Sequence, residues 1–269
     1  MREDLSRCSP EHAETPWQPS PSAPRSSSRL APPHRSPRPP PQLQQLLERL
    51  GAVAQSLEHS LPSLTCVETG VSQALKKGKV KKHVAFAANL RAIRIPGASL
   101  HESFTLTQID GKPYSKPGFP FPFYAGEGFD SAMVYFRPSQ QPCYLYTLSP
   151  GRIDFQTIPD AAAHPPCRAE GVRGFALLDA AGNVTHVERT VPESSTRNFN
   201  LTPFAAIDLA PVDLNGHTYQ LARHIVSRTY HTDFTGHFEA TYSNCQLYTA
   251  SVTILPPTQV IPGATPPSQ

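Results

Sequence analysis

The sequence predicts a mostly β protein: a jelly-roll-like β sandwich with one or two short helices, preceded by an amphipathic helix and a disordered proline-rich arm. Three observations lead there. The 31 prolines of the 269-residue chain gather at its ends, eleven within residues 1–41 and five in the last fourteen. One leucine stripe of helical period follows the first cluster. From His83 onward the chain breaks into short runs rich in β-branched and aromatic residues, divided by turn signals.

Residues 1–41 are rich in Pro, Ser and Arg and hold too few apolar side chains to offset chain entropy, which makes them a disordered arm. The arm carries PSAP at 21–24 and RSPRPPP at 35–41, motifs of the kind through which proline-rich segments reach host proteins. In residues 42–62, Leu43, Leu46, Leu47, Leu50, Val53, Leu57 and Leu61 recur at helical spacing up to Pro62. A stripe of this length needs cover, from the chain's own β domain, from self-association or from a membrane surface. Residues 63–82 read as a basic linker, 83–256 as the β-sandwich core and 257–269 as a disordered proline-rich tail. Within the core the expected strands are HVAFAANLRAIRI, SFTLTQI, SAMVYF, CYLYTL, RIDFQTI, GFALLD, VTHVERTV, FNLTPFAAI and NCQLYTASVTIL. Asp110-Gly111 and Ala181-Gly182-Asn183 read as hairpin turns, and VDLNGHTYQLARHIVS as the one internal helix.

The net charge of +3 is unevenly spread. Lys76 to Ile95 holds five lysines, two arginines and no acid, while the remainder has 17 basic and 21 acidic residues. A partner bearing phosphates follows, and Lys76, Lys77, Lys79, Lys81, Lys82, Arg91 and Arg94 are the candidate contacts to single-stranded RNA. Phe104, Tyr135, Tyr144 and Tyr146 are rings that could stack on bases, although aromatics in β domains are more often core. Lys82-His83-Val84-Ala85-Phe86 also fits a K/R-x-V-x-F pattern for docking to a protein phosphatase.

No G-x-S-x-G elbow, phosphate-binding G-x-x-x-x-G-K-[ST] loop or H-E-x-x-H pair is present, so no catalytic residue, cofactor or metal is expected. His217, His224, His231 and His237 lack metal-ligand spacing. Five cysteines without a C-x-x-C pair suggest reduced, mostly buried thiols. With no apolar span of about 18 residues and no signal-peptide core near Met1, the expectation is a soluble intracellular chain.

From Cys143 to Leu255 the order of features resembles the core of the 30K superfamily of plant-virus movement proteins. CYLYTLSPGRIDFQTIPD is followed by GVRGFALLD, which sets Asp179 at the family's signature aspartate. FNLTPFAAI with Pro203 and Ile207, then Tyr219, Gln220, Gly236 and LYTASVTI, continue the pattern. An arginine soon after the aspartate is missing, the nearest being Arg189. The proline-rich arm resembles movement-type proteins of grapevine-fleck-like relatives of the tymoviruses. The resemblance implies a jelly-roll-like domain that binds single-stranded RNA without sequence preference. It implies action at plasmodesmata, in the host cytoplasm and cell wall, with self-association through residues 42–62 as an added expectation. The alternatives are a viral coat protein with one jelly-roll domain and a proline-motif adaptor. Asp179 is expected to hold a turn.

Overall fold

A computed structural model describes residues 40–95, 100–116, 120–123, 129, 131–167, 171–192, 203–230 and 234–248. The expected arm up to residue 39, with its PSAP motif, and the expected tail lie outside these residues.

The helix α1 (Pro41–Ser60) begins with proline in its first turn, where a missing N–H costs nothing, and buries Leu43, Leu46, Leu47, Leu50, Ala54 and Leu57. Gly51 permits a close approach: a Cβ there would meet Gln141 Nε2 at 2.9 Å and Pro138 Cγ at 3.2 Å. Eleven strands follow: β1 (Leu64–Lys76), β2 (Lys79–Arg94), β3 (Leu100–Ile109), β4 (Lys112–Pro113), β5 (Tyr144–Ser149), β6 (Arg152–Thr157), β7 (Arg173–Leu178), β8 (Val184–Thr190), β9 (Phe204–Leu214), β10 (His217–Tyr230) and β11 (Thr235–Leu247). They form one open antiparallel sheet in the order β4-β3-β2-β1-β11-β10-β9-β8-β7-β6-β5.

The fold is mostly β with one helix, but the expected jelly-roll sandwich is not what forms. Within β1 to β4 and within β5 to β11 each strand lies beside its predecessor, and the two meanders join where β1 pairs with β11, so all the strands belong to one sheet. Lys77-Gly78 and Asn215-Gly216 have positive φ at both positions, the conformation of a two-residue hairpin turn. That removes the helix expected over VDLNGHTYQLARHIVS, which is the β9–β10 hairpin. Residues 63–82 are likewise no linker: they are β1, its turn and the start of β2. SAMVYF is a 3-10 segment, Ser131–Phe136, that buries Ala132, Met133, Tyr135 and Phe136.

One face of the sheet carries the core. Leucines of α1 and the 129–136 segment pack with Leu64, Phe86, Leu90, Phe155, Ile207, Phe238 and Tyr242. Tyr135 stacks on Phe155 at 4.6 Å and meets Tyr144 edge-on, and Tyr146 stacks on Phe136, so these rings are packing groups. Phe104 packs partly buried against the same cluster. The expectation of reduced thiols is corrected by two disulfides, Cys66–Cys245 and Cys143–Cys167. Pairing could not be read from spacing, because Cys66 and Cys245 are 179 residues apart and meet only where the first strand lies beside the last.

Candidate functional site

The helix α1 is tied to its surroundings by polar bonds at a few points. Arg94 holds its C-terminal end, donating from Nε to the Leu61 carbonyl (3.1 Å), from Nη1 to Glu58 (2.6 Å) and from Nη2 to Leu57 (3.1 Å). The Tyr219 hydroxyl donates to the Ser60 carbonyl at 3.2 Å. Arg49 Nη2 donates to the Gly182 carbonyl at 3.2 Å, and Gln141 Nε2 to the Leu47 carbonyl at 2.8 Å.

Between the Arg49 and Tyr219 contacts the helix stands off from the strands, leaving a cleft of about 280 Å³. Leu50, Val53, Leu57, Met133 and Val184 give it apolar walls, and Arg49, Asn183, Thr218 and Gln220 supply polar groups. Gln220 Oε1 is buried and has no hydrogen-bond partner among the described residues. A buried acceptor without a donor is costly. The β7–β8 turn at one side of the cleft is held by Asp179, whose carboxylate accepts the Asn183 backbone N–H (2.8 Å) and side-chain amide (3.0 Å). These bonds, the side-chain one first, keep the Asp179 carboxyl below the usual carboxylate range.

A second polar group lies in the core itself. Glu68 is 0% exposed, and the Tyr242 hydroxyl donates to its Oε1 at 3.2 Å. Burial pushes its pKa up to about 7, the Tyr242 bond opposes this, and the charge of Glu102 adds to it. Elsewhere on the sheet a row of histidines and carboxylates crosses four strands. His186 meets Asp208 (2.6 Å), Asp208 meets His224 (3.2 Å), and His224 and His237 meet Glu239 (3.0 and 3.5 Å). Desolvation raises the Asp208 pKa and is the largest single effect on it, yet the bonds from His186 and His224 together bring it below the ordinary value. No group of side chains able to hold a metal ion occurs among the described residues.

The structure separates the residues expected to bind RNA. Lys76, Lys77, Lys79, Lys81 and Lys82 are exposed around the β1–β2 turn. Arg91 and Arg94 lie toward the far end of the sixteen-residue β2, Arg94 about 50 Å from Lys79 at the rise of a strand. Arg91 lies over the Tyr248 ring at 5.7 Å, and Arg94 caps the helix. Val84 and Phe86 of the phosphatase pattern belong to β2, with Phe86 buried and paired on both sides, so the segment is not a free docking peptide. Of the cleft residues, Leu50, Val53 and Leu57 stood out in sequence as part of the leucine stripe, and Gly182 and Asn183 as part of a turn. Tyr219 and Gln220 entered only through the family pattern, in another role, and Arg49 carries no local pattern.

No family model matches the chain, and no curated protein matches it. Solved structures do. A domain described as an outer membrane lipoprotein-sorting protein from Vibrio parahaemolyticus aligns over 78% of this chain and 94% of its own, with 11% identity and a TM-score of 0.43. A DUF1329 family protein from Desulfovibrio piger aligns over the same shares with 8% identity and a TM-score of 0.40. A LolA superfamily protein from Nitrosomonas europaea aligns over 76% and 94%, with 8% identity and a TM-score of 0.28. The resemblance to plant-virus movement proteins is corrected on the fold: a single open sheet stands where the movement and coat readings both required a jelly roll. The plasmodesmal and host-cytoplasmic location falls with that resemblance, and the adaptor reading loses its docking strand to the sheet.

Proposed function

We propose that this chain is a binding protein, without a catalytic step, for an apolar ligand held between α1 and the sheet. The observation that carries the reading is the cleft itself, with apolar walls from both helix and sheet. A volume of about 280 Å³ falls just below the usual range of ligand sites, roughly 300–1,000 Å³, and suits part of an acyl chain. Arg49, in the cleft wall, would favour an acidic group. Glu68 does not line the cleft and has Tyr242 as its partner, which supports a structural role for that acid. Two disulfides support an oxidising compartment.

Binding of a dansyl-labelled fatty acid to the full chain tests this. Saturable binding to the parent is expected, with affinity falling at least about tenfold, or about 1.4 kcal/mol, in Val53→Trp, whose indole fills the cleft. Thermal melting of the variant should stay close to that of the parent. A parent that does not bind the probe, or a folded Val53→Trp that binds it equally well, overturns the reading.

A further inference from the structure

We propose that the tip of the β1–β2 hairpin docks on a bilayer surface rich in anionic phospholipid. On the β3 side the hairpin outruns its neighbour. β11 begins at Thr235 opposite Leu75, and β3 ends at Ile109 opposite Phe86, so Lys79–Val84 have β1 as their only strand neighbour among the described residues. On this arm Lys76, Lys77, Lys79, Lys81 and Lys82 are exposed, and none forms an ion pair among the described residues. The acid at its root, Asp110, is turned to the backbone N–H of Ala85 at 2.9 Å.

Charge alone would suit any polyanion; the apolar groups at the same end decide between them. Val80 is 50% exposed at the tip, and strand register aligns it with Leu75, Thr235 and Tyr230 in one row across four strands. Tyr230 is 51% exposed. Beside the arm lies a cleft of about 300 Å³, floored by Leu75, Pro122 and Phe234 and rimmed by Lys76, Lys81 and Lys82. An aliphatic tip, an exposed tyrosine and a lysine-rimmed apolar cleft match the layering of a bilayer, where phosphates lie above acyl chains and tyrosine sits at the boundary. A nucleic-acid backbone offers the phosphates but nothing for Val80. Each lysine near an anionic surface strengthens binding about fivefold. The inference stands apart from the ligand cleft under α1, and each can fail alone.

Co-sedimentation of the full chain with phosphatidylcholine vesicles, with and without about 30% phosphatidylglycerol, tests it. The parent should partition onto the anionic vesicles alone and come off at high salt. Replacing the five lysines by alanine should lower partitioning at least about thirtyfold, and Val80→Asp several-fold, with thermal melting unchanged. If five substitutions disturb the hairpin, Lys77→Ala with Lys79→Ala, both at the turn, should still cost about tenfold. No binding by the parent, equal binding by folded lysine variants, or lysine-dependent binding of a single-stranded oligonucleotide without vesicle binding overturns it.

Discussion

Glu68 is an acid whose chemistry departs from its type. Its carboxyl is buried in the core, with one hydrogen bond from Tyr242 and a pKa raised from 4.5 to about 7 by desolvation. The folded state therefore holds this proton more tightly than the unfolded chain. Below about pH 4.5 both states are protonated and the contribution to stability is complete; it is lost as pH rises through about 7. At roughly 1.4 kcal/mol per pH unit the loss is about 3 kcal/mol. Glu68→Gln mimics the neutral acid, so urea unfolding should show little difference from the parent at pH 4.5 and a variant more stable by about 3 kcal/mol at pH 8. A parent and variant whose stabilities run parallel across that range would place the Glu68 proton elsewhere.

Among the elements, α1 depends on a side chain from a strand. Helix ends leave carbonyls without partners, and the Arg94 guanidinium takes three of them while placing a positive charge at the negative end of the helix dipole. Arg94→Ala should cost about 2 kcal/mol in thermal or urea unfolding and speed amide exchange in the last turn of α1. Arg94→Lys should recover only part, because an ammonium cannot span three carbonyls as a planar fork does. The helix was legible in sequence because its stripe has a clear period, and Arg94 was not, since a capping arginine and a phosphate-binding one look alike in a row of basic residues. β1 was missed for a related reason. Its buried row runs through Glu68 and Ser72, and such residues hide a strand unless partners are known: Tyr242 for Glu68, and the Phe123 backbone for Ser72. SAMVYF misled because a short run that is apolar throughout has no period to tell strand from helix. The cleft was illegible because it arises between elements far apart in the chain.

At the scale of the molecule, β1 and β11 meet inside the sheet, joining a wing of β4 to β1 with a wing of β11 to β5. The Cys66–Cys245 disulfide crosses that seam and closes a span of 179 residues, whereas Cys143–Cys167 closes 24. If restricting the unfolded chain dominates, the first contributes about 5 kcal/mol and the second about 3. Replacing Cys66 and Cys245 together by serine should therefore lower the urea midpoint more than the same change at Cys143 and Cys167. The reverse order would show that the seam holds by its hydrogen bonds and core alone.

The position of β11 also bears on how a nascent chain becomes this protein. β2, β3 and β4 can fold back on β1 by short turns as they are made, but the other edge of β1 stays bare until Thr235–Leu247 has been synthesised. A chain cut short before Thr235 exposes the open edges of both β1 and β10, surfaces that invite aggregation and proteolysis. The seam thus acts as a test of completeness, passed only by chains that carry their last strand.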